Sequence, residues 1–191
     1  MPRKVDKIIS LEVSEPNSAW DYRQSKILNN FVCKKSDAEN TVQRMDRKDY
    51  WRTEKRFVDE VKGILAEPGT RNASNLFFTD EVNIEEVKLP SSVKSSTKYI
   101  YKVYGYSGDK LDTEYGVQKD ALAFINRRIK TKYVYVTYNG VSEKMEYDQK
   151  AVAAILNGLE ETTSPFEIEP IGRSGNTEDS ICISIFKNCI K

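Results

Sequence analysis

The sequence predicts an α+β protein: a helical N-terminal region, then a duplicated strand-strand-helix unit forming an antiparallel sheet with helices on one face. Three observations carry this prediction. A capping-box motif opens a stretch of periodic apolar residues at Ser36. Two tyrosine-rich runs, thirty-two residues apart, each meet a glycine turn. After each turn comes a second short strand and a segment with a single apolar helical face.

Taken in order, residues 1–35 read as an extended arm with hydrophobic anchors. It begins with the strand-like Ile8-Ile9-Ser10-Leu11-Glu12-Val13 and continues through Pro16, Trp20, Tyr22 and the cluster Ile27-Leu28, Phe31-Val32. Residues 36–89 read as a helical region plus one or two strands. Ser36-Asp37-Ala38-Glu39 has the S-x-x-E form, in which hydroxyl and carboxylate satisfy backbone donors at a helix start. Apolar residues then recur to Ile64-Leu65, before Glu67-Pro68-Gly69 stops the helix. Val82, Ile84, Val87 and Leu89 alternate as a strand does. The polar connector Pro90 to Thr97 is the expected boundary.

Residues 98–191 hold the duplication, with copies at 98–129 and 132–159. Tyr101 to Gly108 is matched to Tyr133 to Gly140, and Glu114-Tyr115 to Glu146-Tyr147. After dropping Gly116, Gln118-Lys119 is matched to Gln149-Lys150. Ser107-Gly108-Asp109 and Asn139-Gly140 mark the two hairpin turns. Ala121, Leu122, Ile125 and Ile129 line one helix, and Val152, Ile155, Leu156 and Leu159 the other. The tail, Phe166 to Ile171 and Ile181 to Phe186, supplies closing strands around a glycine-rich turn. Within that turn Ile171-Gly172-Arg173-Ser174-Gly175 echoes a G-x-x-G phosphate loop. The alternating strand that follows assigns it to a hairpin instead.

Composition limits the chemistry. The chain has no histidine, which removes the usual general base, the Ser-His and Cys-His pairs and the commonest transition-metal ligand. No cofactor and no metal site is expected. The three cysteines, Cys33, Cys182 and Cys189, read as structural thiols of a reducing, cytoplasmic compartment. Apolar runs fall far short of the roughly 20 residues a membrane helix needs, so no membrane partner is expected. The formal net charge of +1 gives no global pull toward nucleic acid.

Local features point to binding. Arg127, Arg128, Lys130 and Lys132 concentrate positive charge where the copies join, a candidate phosphate contact. Such runs also stabilise helix C-termini or sit as solvated surface. Tyr101 and Tyr133, with their alternate neighbours Tyr99 and Tyr135, could offer stacking faces or fill a core. Trp20, Tyr22, Phe31, Tyr50 and Trp51 are candidate protein-contact anchors. The expected function is a non-catalytic binding or assembly protein acting through a protein partner or a second copy, with nucleic acid as a further partner class. The Lys, Asn and Tyr usage suits a viral or phage accessory protein. The alternative is a metal-dependent phosphodiester enzyme built on Asp80, Glu86 and Lys88.

Overall fold

Phe31, Val32 and Cys33 are all fully buried, which places a run read as part of an arm inside a sheet. The computed structural model describes residues 5–14, 30–44, 69–74, 79–138, 140–159, 166–175 and 179–191. The chain is a mixed α/β protein, mostly strand, with three α-helices among these residues. It divides into Met1–Lys88 with Phe186–Lys191, and Leu89–Ile185. Among the described residues no helix is long and apolar enough to cross a membrane.

The first unit contains β1 (Ile8–Ser14), β2 (Phe31–Lys34), α1 (Ala38–Arg44), β3 (Gly69–Ser74) and β4 (Thr79–Glu86). β1 is central, antiparallel to β2 and β4, and β3 flanks β4. Register sets Ile9 opposite Cys33 and Leu11 between Phe31 and Ile84, so these five share one buried face. Ser10 and Val32 pair on the other face and are buried too. A strand covered on both faces reads as a continuous apolar run, which is the physical reason the alternation of a strand is missing at 31–33. Lys187 and Asn188 add the end of a last strand parallel to β2.

The helix expected from Ser36 begins at Ala38, after a single 3-10 turn over Lys35–Asp37. Ser36 does not cap it through a box with Glu39. Its hydroxyl donates to the Asp6 carboxylate, and its backbone N–H donates to Asp6 Oδ1 at 3.3 Å. A carboxylate thirty residues upstream thus outcompetes the local motif, since charge-assisted hydrogen bonds are the stronger kind. Thr41, itself buried, donates to the Asp37 carbonyl at 2.8 Å. Residues 45–68, where the helix was expected to continue, lie outside the described residues.

The second unit runs β5 (Tyr99–Ser107), β6 (Lys110–Gly116), α2 (Gln118–Arg128), β7 (Tyr133–Tyr138), β8 (Val141–Glu146), α3 (Gln149–Asn157), β9 (Phe166–Ile171) and β10 (Ile181–Asn188), which belongs to this unit up to Ile185. Strand order is β8-β7-β9-β10-β5-β6. The two hairpins therefore do not pair with one another: β9 and β10 lie between them. Ala121, Phe124 and Ile125 of α2 and Val152 and Leu156 of α3 pack on one cluster with Val103, Val134, Val136, Phe166, Ile168 and Ile183. Asp148 caps α3 by accepting from the N–H groups of Lys150 and Ala151. Asp120 accepts from Val117 N at 2.9 Å and from Ser92 Oγ at 2.7 Å, tying the serine-rich connector to α2.

The hairpins correct the sequence register. Their closing pairs are Ser107–Lys110 and Tyr138–Val141, and the helices start at Gln118 and Gln149. Both are displaced by thirty-one residues, not thirty-two and then thirty-one. Gly108 (φ 62°) takes the first turn position of its hairpin, whereas Gly140 (φ 76°) takes the second. Matching glycine to glycine slipped the strands by one residue, and a one-residue slip turns every side chain to the other face. With the displacement of thirty-one, buried meets buried: Val103 with Val134, Ala121 with Val152, Ile125 with Leu156.

Candidate functional site

The basic run splits at Ile129, which is buried and ends α2. Arg127 and Arg128, on the last turn, reach back to β6. Arg127 Nη2 donates to Glu114 Oε1 at 2.8 Å, and Arg128 is ion-paired with Asp112. Arg128 Nη1 also donates to the Tyr106 carbonyl at 3.1 Å, and its guanidinium lies 4.6 Å from the Phe124 ring centroid. These groups border a cavity of about 690 Å³ that Asp179 lines as well. Its two arginines thus face three carboxylates, so an incoming phosphate would meet little uncompensated positive charge there.

Lys130 and Lys132 turn to a second cleft, of about 940 Å³, which they line with Tyr133, Lys144, Gly172, Arg173 and Gly175. Among the described residues four cations border it and no carboxylate does. No ion pair joins these four to a carboxylate among the described residues. Sheet register assembles the cleft. Tyr135 lies opposite Lys144 of β8, and Tyr133 lies opposite Ile171, the last residue of β9 before the turn. That turn is closed by Gly175 N donating to Gly172 O at 2.9 Å, and Gly175 has φ 82°, a conformation that favours glycine. Thr131 Oγ1 donates to the Tyr133 carbonyl and Tyr147 N to the Lys132 carbonyl, fixing the entry to β7.

Tyr133 is 41% exposed and Tyr135 36%, while Val134 and Val136 between and beyond them are buried against the helices. Alternation therefore puts both tyrosines on the face away from α2 and α3. Lys132 and Lys144 Nζ lie 5.5 and 5.2 Å from the Tyr133 ring centroid. Glu146 and Glu169, the cross-strand neighbours of Tyr133 and Tyr135, place negative charge on that face.

The other expected site residues are placed differently. Tyr101 belongs to the core under the helices, 7% exposed, and burial, then the nearby Tyr99, push its phenol above the usual range. Phe31 is a fully buried core residue of the first unit. Trp20, Tyr22, Tyr50 and Trp51 lie outside the described residues. Of the carboxylates considered for metal chemistry, Glu86 is ion-paired with Lys7 at 2.9 Å, and Asp80 pairs through its backbone with Ala73. Among the described residues no group of three or more acidic or cysteine side chains is placed to hold a metal ion.

Lys144 and Arg173 were not among the expected cationic residues. Lys144 stands between Glu143 and Glu146 in sequence and Arg173 lies in the glycine-rich turn, and only pairing of β8 and β9 on either side of β7 brings them together. The available signal was cross-strand register: Lys144 follows directly once the hairpin is closed at Tyr138–Val141. In comparison with known proteins, the chain matches no protein-family model, no curated protein and no solved structure.

Proposed function

We propose that this protein acts by binding rather than catalysis, in an assembly role, and that the cleft beside Tyr133 takes the phosphate backbone of a nucleic acid. One observation carries the reading: Lys130, Lys132, Lys144 and Arg173 converge around an exposed aromatic ring, with no carboxylate among the described residues that line the cleft. Phosphates that replace condensed counterions bind such a cluster, and the release of those ions makes binding steeply salt-dependent. The uniform displacement between the two strand-strand-helix segments supports reading them as a repeated unit. Arg127 and Arg128, at the end of α2, are compensated by Glu114 and Asp112 and so stand apart from this cleft.

The test is a salt titration of binding to a labelled oligonucleotide, followed by fluorescence anisotropy. Lys132→Glu with Lys144→Glu should weaken binding and lower the steepness of the log–log salt plot by about 1.4 to 1.8, the loss of two phosphate contacts. Arg127→Glu should change the slope less, because that guanidinium already has a carboxylate partner. Unchanged affinity and slope in the double lysine variant would contradict the reading. The protein-contact arm of the proposal rests on Trp20, Tyr22, Tyr50 and Trp51. A Trp20→Ala, Trp51→Ala chain that keeps the same sedimentation behaviour and partners would remove it.

A further inference from the structure

We infer that the cleft selects single-stranded over duplex nucleic acid, with bases stacking on Tyr133 and Tyr135; the inference rests on the phosphate-binding reading of the same site. The two rings project from one strand, two residues apart, on one exposed face. Alternate residues of a strand are separated by roughly 6.8 Å, about twice the 3.4 Å rise per nucleotide along a duplex strand. Two neighbouring bases can lie on these rings only if they are first unstacked from each other. A single strand allows that, whereas a duplex keeps its base faces covered.

The cations fit the same geometry. Lys132 and Lys144 lie over the Tyr133 ring at 5.5 and 5.2 Å, on long, exposed side chains. Contacts of that kind are weak at exposed sites. A base arriving on the ring displaces an ammonium group, which then pairs with the phosphate next to that base. Arg173, on the turn after β9, lines the cleft beside them and serves the adjoining phosphate. Glu146 and Glu169 lie opposite the two tyrosines and repel phosphates from directly over the rings, which leaves the ring faces to bases and the phosphates to the cations. The ligand is thus one strand, with its bases toward the sheet and its phosphates toward the lysines.

The experiment compares a labelled oligothymidylate of about 12 nucleotides, within the range of single-strand site sizes, with its duplex on the full chain. The single strand should bind more tightly. Tyr133→Ala should weaken single-strand binding about ten-fold, within the range found for one stacked base, while Tyr133→Phe retains it. Tyr133 is exposed, and unchanged thermal melting would show that both variants fold. Equal binding of strand and duplex, with Tyr133→Ala silent but Lys132→Glu, Lys144→Glu still impaired, would overturn the single-strand inference and leave the phosphate reading standing. Failure of both probes to bind at low salt would overturn both.

Discussion

Arg128 illustrates how a charge that reads as a phosphate contact in sequence becomes internal structure. It is 22% exposed, bonded to Asp112 and to the Tyr106 carbonyl, and lies over Phe124. Arg128→Ala should cost about 1–2 kcal/mol in denaturant unfolding, chiefly through the lost hydrogen bonds and stacking, since Asp112 keeps Lys110 at 3.7 Å. It should leave oligonucleotide affinity nearly unchanged. Cys33 makes a second residue-scale case. Burial pushes its thiol up to about 12, with the Thr41 hydroxyl pulling the other way. The thiolate is the reactive form, so Cys33 should resist a disulfide reagent at pH 8 in the native protein and react on unfolding. The linkage has a definite sign. The folded state holds the proton more tightly than the unfolded state, whose thiol titrates near 9, so stability falls as pH rises from about 9 toward 12. Cys33→Ala should flatten that part of the pH–stability curve. Neither partner of these residues could be read in sequence: Asp112 is sixteen residues from Arg128, and Thr41 reaches Cys33 only across the turn into α1.

At the scale of elements, hairpins and helix faces were legible because their determinants are local. Glycines in the turns, β-branched runs in the strands and apolar residues at helical spacing lie within a few positions of one another. Leu156 of α3 and Ile125 of α2, equivalent at a displacement of thirty-one, are both fully buried. Leu156→Ala should destabilise the protein by about 2–5 kcal/mol in denaturant unfolding, without touching the cleft. What failed locally was register. Gly108 and Gly140 hold different turn positions, and aligning them placed Tyr101 with Tyr133 although one faces the core and the other faces solvent. A displacement of thirty-one sets Tyr104 against Tyr135 instead. The cleft was legible only in part for the same reason. Lys130, Lys132 and Tyr133 are contiguous, whereas Lys144 and Arg173 join them through strands on either side.

At the scale of the whole molecule, strand order depends on pairings far apart in sequence, and periodicity carries no signal for these. The tail strands, expected to close the sheet, instead separate the hairpins, and β10 continues into the first unit from Phe186 onward. Lys187 and Asn188 pair with β2, and Phe186 is fully buried. The first unit is thus built from two chain segments with the whole of Leu89–Ile185 between them, and Phe186→Ala should cost about 3–5 kcal/mol of stability. The function proposed here rests on the second unit alone, on one face of one strand and the cations around it. The most direct test is photo-crosslinking of a thiouridine-substituted single strand to the full chain, with the attachment sites mapped by mass spectrometry. Cross-links concentrated on the peptide carrying Lys132, Tyr133 and Tyr135, and lost in the double lysine variant, are the predicted result. Cross-links confined to the Arg127–Arg128 groove, or scattered without preference, would contradict it.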